Sequence, residues 1–423
     1  MKKSLLLSVV TSTMIMAAHP VGDAGYALDG SHNDKQSSKL NVELHDSFGD
    51  ALKNGKFTAK TRTFYMKRTF DDGGPDTTAL TFGGIFKYES GNYHGLKFGL
   101  AYYGSHSLFG IFSRYEGANP HGGTSLLERN TGEDLAFLGE AYLQYDMSNT
   151  MFKVGRQQLA TPLMQNHDLR LLPSVYEAAI LRNKDIQDTM IEVGYVKRYT
   201  GFTSKDNRFL DQNTKWGKDG LAYISFTNKS IENLSLRGQY IKAVSDTAND
   251  GSPVAIDDYK YFDFKYSIPV GDKTYIKGQY GGNAYNSADN STLLGAKIGT
   301  TVYDMVDVAV LYDKISGNEF KAVESGPMYS DWQQGYSNYE ESTAFGGQII
   351  IRPMSDLSLK FGYVDVRADN GKNRDDFTEF NFDGKYTIND WSKLRVRYSI
   401  KDQTPTSSRE DRNDFRIIYY MNF

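Results

Sequence analysis

From about Phe57 to Phe423 the chain alternates apolar and polar residues in one segment after another of roughly ten residues, and this period of two limits the possible folds more than any other feature. Between Lys393 and Lys401, Leu394, Val396, Tyr398 and Ile400 share one face, while Lys393, Arg395, Arg397 and Lys401 occupy the other. Phe415, Ile417, Tyr419, Met421 and Phe423 follow the same rule, as do Leu357, Leu359, Phe361 and Tyr363. No sustained helical period interrupts the series, which argues against a parallel βαβ architecture. About eighteen strands are expected, near 57–68, 79–89, 94–104, 134–146, 150–158, 174–183, 188–201, 218–228, 234–245, 257–268, 273–285, 290–303, 306–316, 341–352, 356–368, 374–388, 391–402 and 412–423.

The connections alternate in length. Short links, such as Met147-Ser148-Asn149, Asp304-Met305 and Asn389-Asp390, take turns with longer loops at 105–133, 159–173, 202–217, 317–340 and 403–411. One rim of turns and one of loops is the pattern of an all-β transmembrane antiparallel barrel, with short periplasmic turns and long outer loops. Lipid offers no hydrogen bonds, so a sheet spans it only by closing on itself. A sandwich or propeller in water would also alternate, but it would more often show repeats of about 40–50 residues, and none is present. Tyr and Phe gather at strand ends, for example Tyr102-Tyr103, Tyr145, Tyr266, Tyr386 and Tyr419-Tyr420, where interfacial girdles need them.

Composition agrees. A mean hydropathy of −0.53 rules out a bundle of apolar membrane helices, while 30 Tyr and 24 Phe are too many for a disordered polar chain. The net charge of −4 argues against nucleic acid as a partner. Met1-Lys2-Lys3 followed by the apolar run Leu5–Ala18 matches a secretory signal peptide, expected over 1–27 with an unsettled cleavage site. With no Cys, the exported fold owes nothing to disulfides. Residues 28–56 read as a short periplasmic leader, too short for a plug domain, and 57–423 as the barrel. Leu40, Leu44, Phe48 and Leu52 recur at i+4 and suggest an amphipathic helix at the periplasmic mouth, with an unstructured leader as the alternative.

Ending at Phe423 on an apolar and aromatic face, the last strand resembles the terminal recognition strand of bacterial outer-membrane proteins. That resemblance implies the outer membrane of a Gram-negative-type bacterium, with its lipids and the barrel assembly machinery as partners.

If the apolar face meets lipid, the polar face lines an aqueous lumen. A charge facing lipid at mid-membrane costs roughly 2–4 kcal/mol, so parity directs charges inward. It assigns to the lumen Lys393, Arg395, Arg397 and Lys401 on the penultimate strand, Arg412 and Arg416 on the last, and Lys60, Arg62 and Arg68 on the first. Closure makes first and last strands neighbours. The result is a basic track, partly opposed by Glu379 and Asp383, that would draw an anion through successive weak sites. The alternative is a set of ordinary solvated charges paired with nearby carboxylates.

The run from Gly139 through Lys153-Val154-Gly155-Arg156-Gln157-Gln158-Leu159-Ala160-Thr161-Pro162-Leu163 to Asp168-Leu169-Arg170-Leu171-Leu172-Pro173-Ser174-Val175-Tyr176-Glu177-Ala178 resembles the OprD-type substrate-selective outer-membrane porin family. The resemblance implies an eighteen-stranded barrel, monomeric or loosely trimeric, whose third outer loop folds inward and faces a basic ladder that guides carboxylate-bearing solutes. Arg156, Asp168, Arg170, Pro173, Tyr176 and Glu177 match that motif and would build or brace the constriction. Independently, Pro162 and Pro173 restrict the loop, and Leu163, Leu169, Leu171 and Leu172 give it surface to pack with. Strict alternation from Phe152 and Val154 points Arg156 outward unless a bulge intervenes.

No cofactor or metal is expected. The seven His residues form no pair at metal-ligand spacing, and no H-E-x-x-H, P-loop or G-x-S-x-G pattern occurs. The expectation is therefore a passive porin rather than an enzyme, selective for small hydrophilic solutes, above all carboxylates such as amino acids, organic acids and small peptides. The alternatives are a less selective or cation-preferring pore and a non-channel barrel, either a surface adhesin or an outer-membrane hydrolase.

Overall fold

The computed structural model describes residues 47–71, 76–112, 124–127, 132–166, 170–201, 216–248, 251–269, 273–324, 326–333, 340–368, 376–403 and 411–423. A short helix, α1 (Phe48–Lys53), precedes β1 (Lys56–Phe70), β2 (Thr77–Glu89), β3 (Leu96–Phe112), β4 (Leu135–Met147), β5 (Thr150–Gln157) and β6 (Val175–Asn183). There follow β7 (Thr189–Thr200), β8 (Leu221–Asn228), β9 (Leu234–Ala243), β10 (Ile256–Ser267), β11 (Tyr275–Tyr285) and β12 (Ser291–Val302). The chain ends with β13 (Val306–Gly317), β14 (Ser342–Met354), β15 (Leu357–Ala368), β16 (Phe377–Asn389), β17 (Ser392–Gln403) and β18 (Arg412–Asn422).

Every strand pairs antiparallel with its sequence neighbours, and β1 pairs with both β2 and β18, so the 18-stranded sheet closes with no free edge. The alternation in sequence becomes two surfaces. Leu143, Phe152, Leu181, Ile298, Val310 and Tyr363 stand exposed on the outside, where lipid receives them. Alternate residues face inward, and the apolar ones among them pack with loops inside the barrel.

Two expectations change. β3 runs to Phe112 instead of ending near 104, because Ser105 to Ser107 continue the ladder with β2 despite their polar, loop-like composition. Phe109 and Gly110, both at positive φ, bend its outer end. The helix is also smaller and differently placed. Ser47 caps it by accepting from the Asp50 amide (3.0 Å), and it buries Ala51 while Phe48 and Leu52 stay exposed. Phe48 packs on Tyr93 and Phe98, and the Tyr88 hydroxyl donates to the Leu52 carbonyl (2.5 Å). Phe98 and Tyr88 share the outward parity of Leu100, so α1 lies against the outside of the wall at its periplasmic edge. Leu40 and Leu44 lie outside the described residues.

Candidate functional site

The ladder registers of β16, β17, β18 and β1 set side chains into rows that cross the inner wall. One row reads Asp383, Arg397, Arg416 and Met66; the next toward the outer rim reads Asn381, Ser399, Asp414 and Arg68. Toward the periplasm stand Lys385, Arg395, Ile418 and Phe64, and beyond them Lys393, Tyr420 and Arg62. Lys401 and Arg412 face each other at the outer end, and Lys60 stands exposed at the periplasmic end. All nine basic residues assigned by parity, Lys60, Arg62, Arg68, Lys393, Arg395, Arg397, Lys401, Arg412 and Arg416, lie on the lumen-facing parity of this wall.

The wall is more buried than a solvated channel surface. Arg416 and Asp414 are fully buried, and Arg395, Arg397 and Lys401 are nearly so. Arg416 grips Asp414 with two bonds (2.7 and 2.8 Å), and Arg68 Nε reaches the same carboxylate at 2.8 Å. One carboxylate thus serves two guanidiniums. Arg395 holds Asp383 in a fork, while Arg397 Nε stands 3.8 Å from that carboxylate, outside hydrogen-bond range. Cations exceed carboxylates, and the surplus faces the lumen.

Burial follows from a loop that crosses the barrel. Between β5 and β6, Leu163 donates its amide to Gln239 on β9 (2.7 Å), and Gln239 reaches back to Thr161 (2.8 Å). On the other side, Leu171 and Leu172 pack on Phe64, Met66, Ile418 and Tyr420, the apolar members of the basic wall. Arg62 donates to the Arg170 carbonyl (2.7 Å) and lies over the Tyr420 ring (4.9 Å). The loop therefore touches walls half a circumference apart and narrows what lies between.

Arg170 is buried beside Arg68, Arg397, Arg416 and Asp414. Burial, followed by the Arg416 and Arg68 charges, pulls its pKa well below the ordinary arginine value. Pro173 is buried, as is Tyr176, whose hydroxyl donates to the Gln165 carbonyl (3.0 Å) and braces the loop from β6. Asp168 lies outside the described residues. Arg156 and Glu177 are cross-strand partners on the outward parity, and Arg156 Nε donates to Glu177 at 2.9 Å. They join β5 to β6 from the lipid side and do not line the passage.

A second inward segment was not found from the sequence. Between β13 and β14, the amides of Val323 and Glu324 donate to the Leu163 carbonyl (3.0 and 3.3 Å). Ser330 donates from both amide and hydroxyl to buried Asp313 (2.7 and 2.6 Å), which also accepts from Gln279. Gln333 reaches Glu379 and the Asp414 carbonyl on the basic wall (both 3.2 Å). Trp332 fills the space above Gly362, where a Cβ would come within 2.5 Å of its ring. The signal was available: Phe320, Val323, Met328, Tyr329 and Trp332 give this loop the same unexpected apolar content as Leu163 and Leu171 give the other. Both loops together bound the passage against the basic wall.

The family model described as outer membrane porin, OprD family, matches residues 50–344, more than half the chain. Among solved structures, Acinetobacter baumannii OccAB1 aligns with a TM-score of 0.71 at 15% identity, covering 91% of this chain and 99% of its own. Acinetobacter baumannii OccAB2 gives 0.71 at 18%, covering 89% and 99%. Pseudomonas aeruginosa OpdK, solved with vanillate, gives 0.71 at 16%, covering 88% and 99%. No curated protein sequence matches.

Proposed function

We propose that this chain, which belongs to the OprD family of outer membrane porins, is a selective porin whose preferred solutes carry a carboxylate. Passage of small solutes across the outer membrane of a Gram-negative bacterium is the family's property; the selectivity is our reading. The observation that carries it is the group of four guanidiniums beside the crossing loop: Arg68 and Arg416 share Asp414, Arg397 stands between Asp383 and Arg416, and Arg170 lies next to them on the loop, so that cations outnumber the two carboxylates. An anion entering that point meets surplus positive charge with water partly excluded, where each charge acts more strongly than in bulk solvent. Lys401 and Arg412 toward the outside, and Arg62, Lys393 and Lys60 toward the periplasm, supply weaker stations on either side, so that binding does not become trapping.

Vanillate, present in the OpdK structure, is an aromatic carboxylate, which agrees in class. Amino acids, organic acids and small peptides are the expected solutes, and transport is passive. The remaining parts of the reading are a signal peptide over 1–27, a leader over 28–56, assembly through the strand ending at Phe423, and a monomer or loose trimer.

Planar-bilayer recording with a salt gradient tests the reading. Anion-selective reversal with conductance blocked by small carboxylates is expected. No conductance would end the porin reading in favour of an adhesin or hydrolase, while cation-selective or unselective reversal would end the carboxylate reading alone.

A further inference from the structure

The extracellular rim of β5–β7 carries on its outer face an arrangement that the passage does not use. Glu177 accepts from Arg156 Nε at 2.9 Å and from Arg198 Nε at 2.6 Å, so two guanidiniums share one carboxylate. These residues lie within three positions of the extracellular ends of their strands. Beside them Lys197 donates to the Lys218 carbonyl (3.0 Å) and pairs with Asp219 (3.7 Å). Among the described residues, Arg156, Lys197, Arg198 and Lys218 thus gather around the carboxylates of Glu177 and Asp219. Elsewhere on the outward rim, among the described residues, Lys67 meets Asp76, Lys242 meets Asp257, and Arg367 meets both Asp365 and Asp376.

Depth sharpens the contrast. β5 and β6 have 8 and 9 residues and β7 has 12, against 15 in β1 and 17 in β3. At about 3.3 Å per residue and a tilt near 40°, eight residues climb roughly 20 Å, less than an apolar band of about 25 Å. The arginines, one or two residues from the outer ends of β5 and β7, therefore stand near the outer edge of that band, within reach of outer-leaflet headgroups. An outward charge costs only about 0–1 kcal/mol at an interface, against about 2–4 kcal/mol at mid-membrane. Directly below, Phe152, Val154, Leu181, Val193 and Tyr195 expose an apolar strip suited to acyl chains.

We propose that the outer face centred on Arg156, Glu177 and Arg198 docks the phosphate of an outer-leaflet glycolipid, with its acyl chains on the strip below. Charge complementarity selects this occupant. Guanidiniums offer forked donors that fit phosphate oxygens, and the local surplus of cations is what a phosphate neutralises. The site faces away from the lumen and does not depend on solute selectivity.

The purified full chain in micelles, heated with bis-phosphorylated lipid A or with its dephosphorylated form, tests the proposal. The phosphorylated lipid is expected to raise the wild-type unfolding temperature by several degrees, and the dephosphorylated form to do markedly less. K197Q/R198Q, which removes two of the four cations, is expected to lose most of that shift while keeping wild-type conductance and reversal potential. E177Q, which removes the competing carboxylate, is expected to keep or increase it. Equal shifts with both lipids, or a full shift in K197Q/R198Q, would overturn the site. So would a change of oligomeric state in that variant without lipid dependence, because the face would then join copies of the chain. If K197Q/R198Q does not refold, K218Q at an exposed position serves in its place: a reduced shift supports the site and an undiminished one rejects it.

Discussion

The same ionic motif occurs twice in this barrel, on opposite faces of the sheet. Inside, Arg68 and Arg416 share Asp414, whose side chain is fully buried. Outside, Arg156 and Arg198 share Glu177, with 34%, 39% and 19% of the three side chains exposed. Residue types and bond lengths are nearly alike, so chemistry alone does not separate them. Strand parity and the crossing loop do: one trio lies on the lumen wall beside the crossing loop, with Asp414 and Arg416 buried and Arg68 reaching the lumen, and the other opens to the membrane interface. A buried ion pair is costly to form and costlier to break, because removing one partner strands the other charge. A partly exposed pair at the rim contributes less.

The comparison breaks most visibly at its carboxylates. Asp414→Asn leaves Arg68 and Arg416 buried without their counter-charge and is expected to cost about 3–5 kcal/mol, measured by urea titration of the folded barrel in micelles. Glu177→Gln, assayed the same way, is expected to cost about 0–1 kcal/mol. Equal losses would mean that the two trios do not differ in burial as described.

Next comes the neighbouring pair on the basic wall. Arg395→Gln frees buried Asp383 from its fork and is expected to cost several times the stability lost in Arg397→Gln. Arg397→Gln is instead expected to reduce the anion-to-cation permeability ratio with folding largely kept, as read from reversal potentials. Unchanged selectivity would remove Arg397 from the passage.

A smaller effect is expected at the second inward loop. Gly362→Ala places a methyl 2.5 Å from the Trp332 ring, so the loop must shift or the strand must strain, at about 1–3 kcal/mol. Single-channel conductance should rise or become noisier, while reversal potential stays anion-selective. Unaltered conductance would show that this loop does not bound the passage.

Much of this was legible before the structure. The eighteen strands follow from the period of two, and apart from the outer end of β3 their ends fall within about three residues of expectation. The inward parity of Arg395, Arg397 and Arg416 was readable because each sits between lipid-facing apolar residues. Parity also indicated that Arg156 points outward, in tension with the constriction role implied by the family motif. Two things were not readable. Phe64 and Met66 break the rule that lumen residues are polar, because a loop more than a hundred residues away covers them. The segment between β13 and β14 carried an apolar signal but no indication of which wall it would meet.

The sequence by itself determined the all-β class, the strand count, the closed barrel and the sign of charge on each face, because these depend on residues one or two positions apart. Tertiary structure alone decided which charges are buried. It brought Arg170 beside Arg416 and Arg68, pinned Leu163 between Gln239 and Val323, and left Glu177 partly exposed while Asp414 was buried. Burial depends on what the closed ring and its infolded loops bring together across the lumen, and no local period encodes that distance.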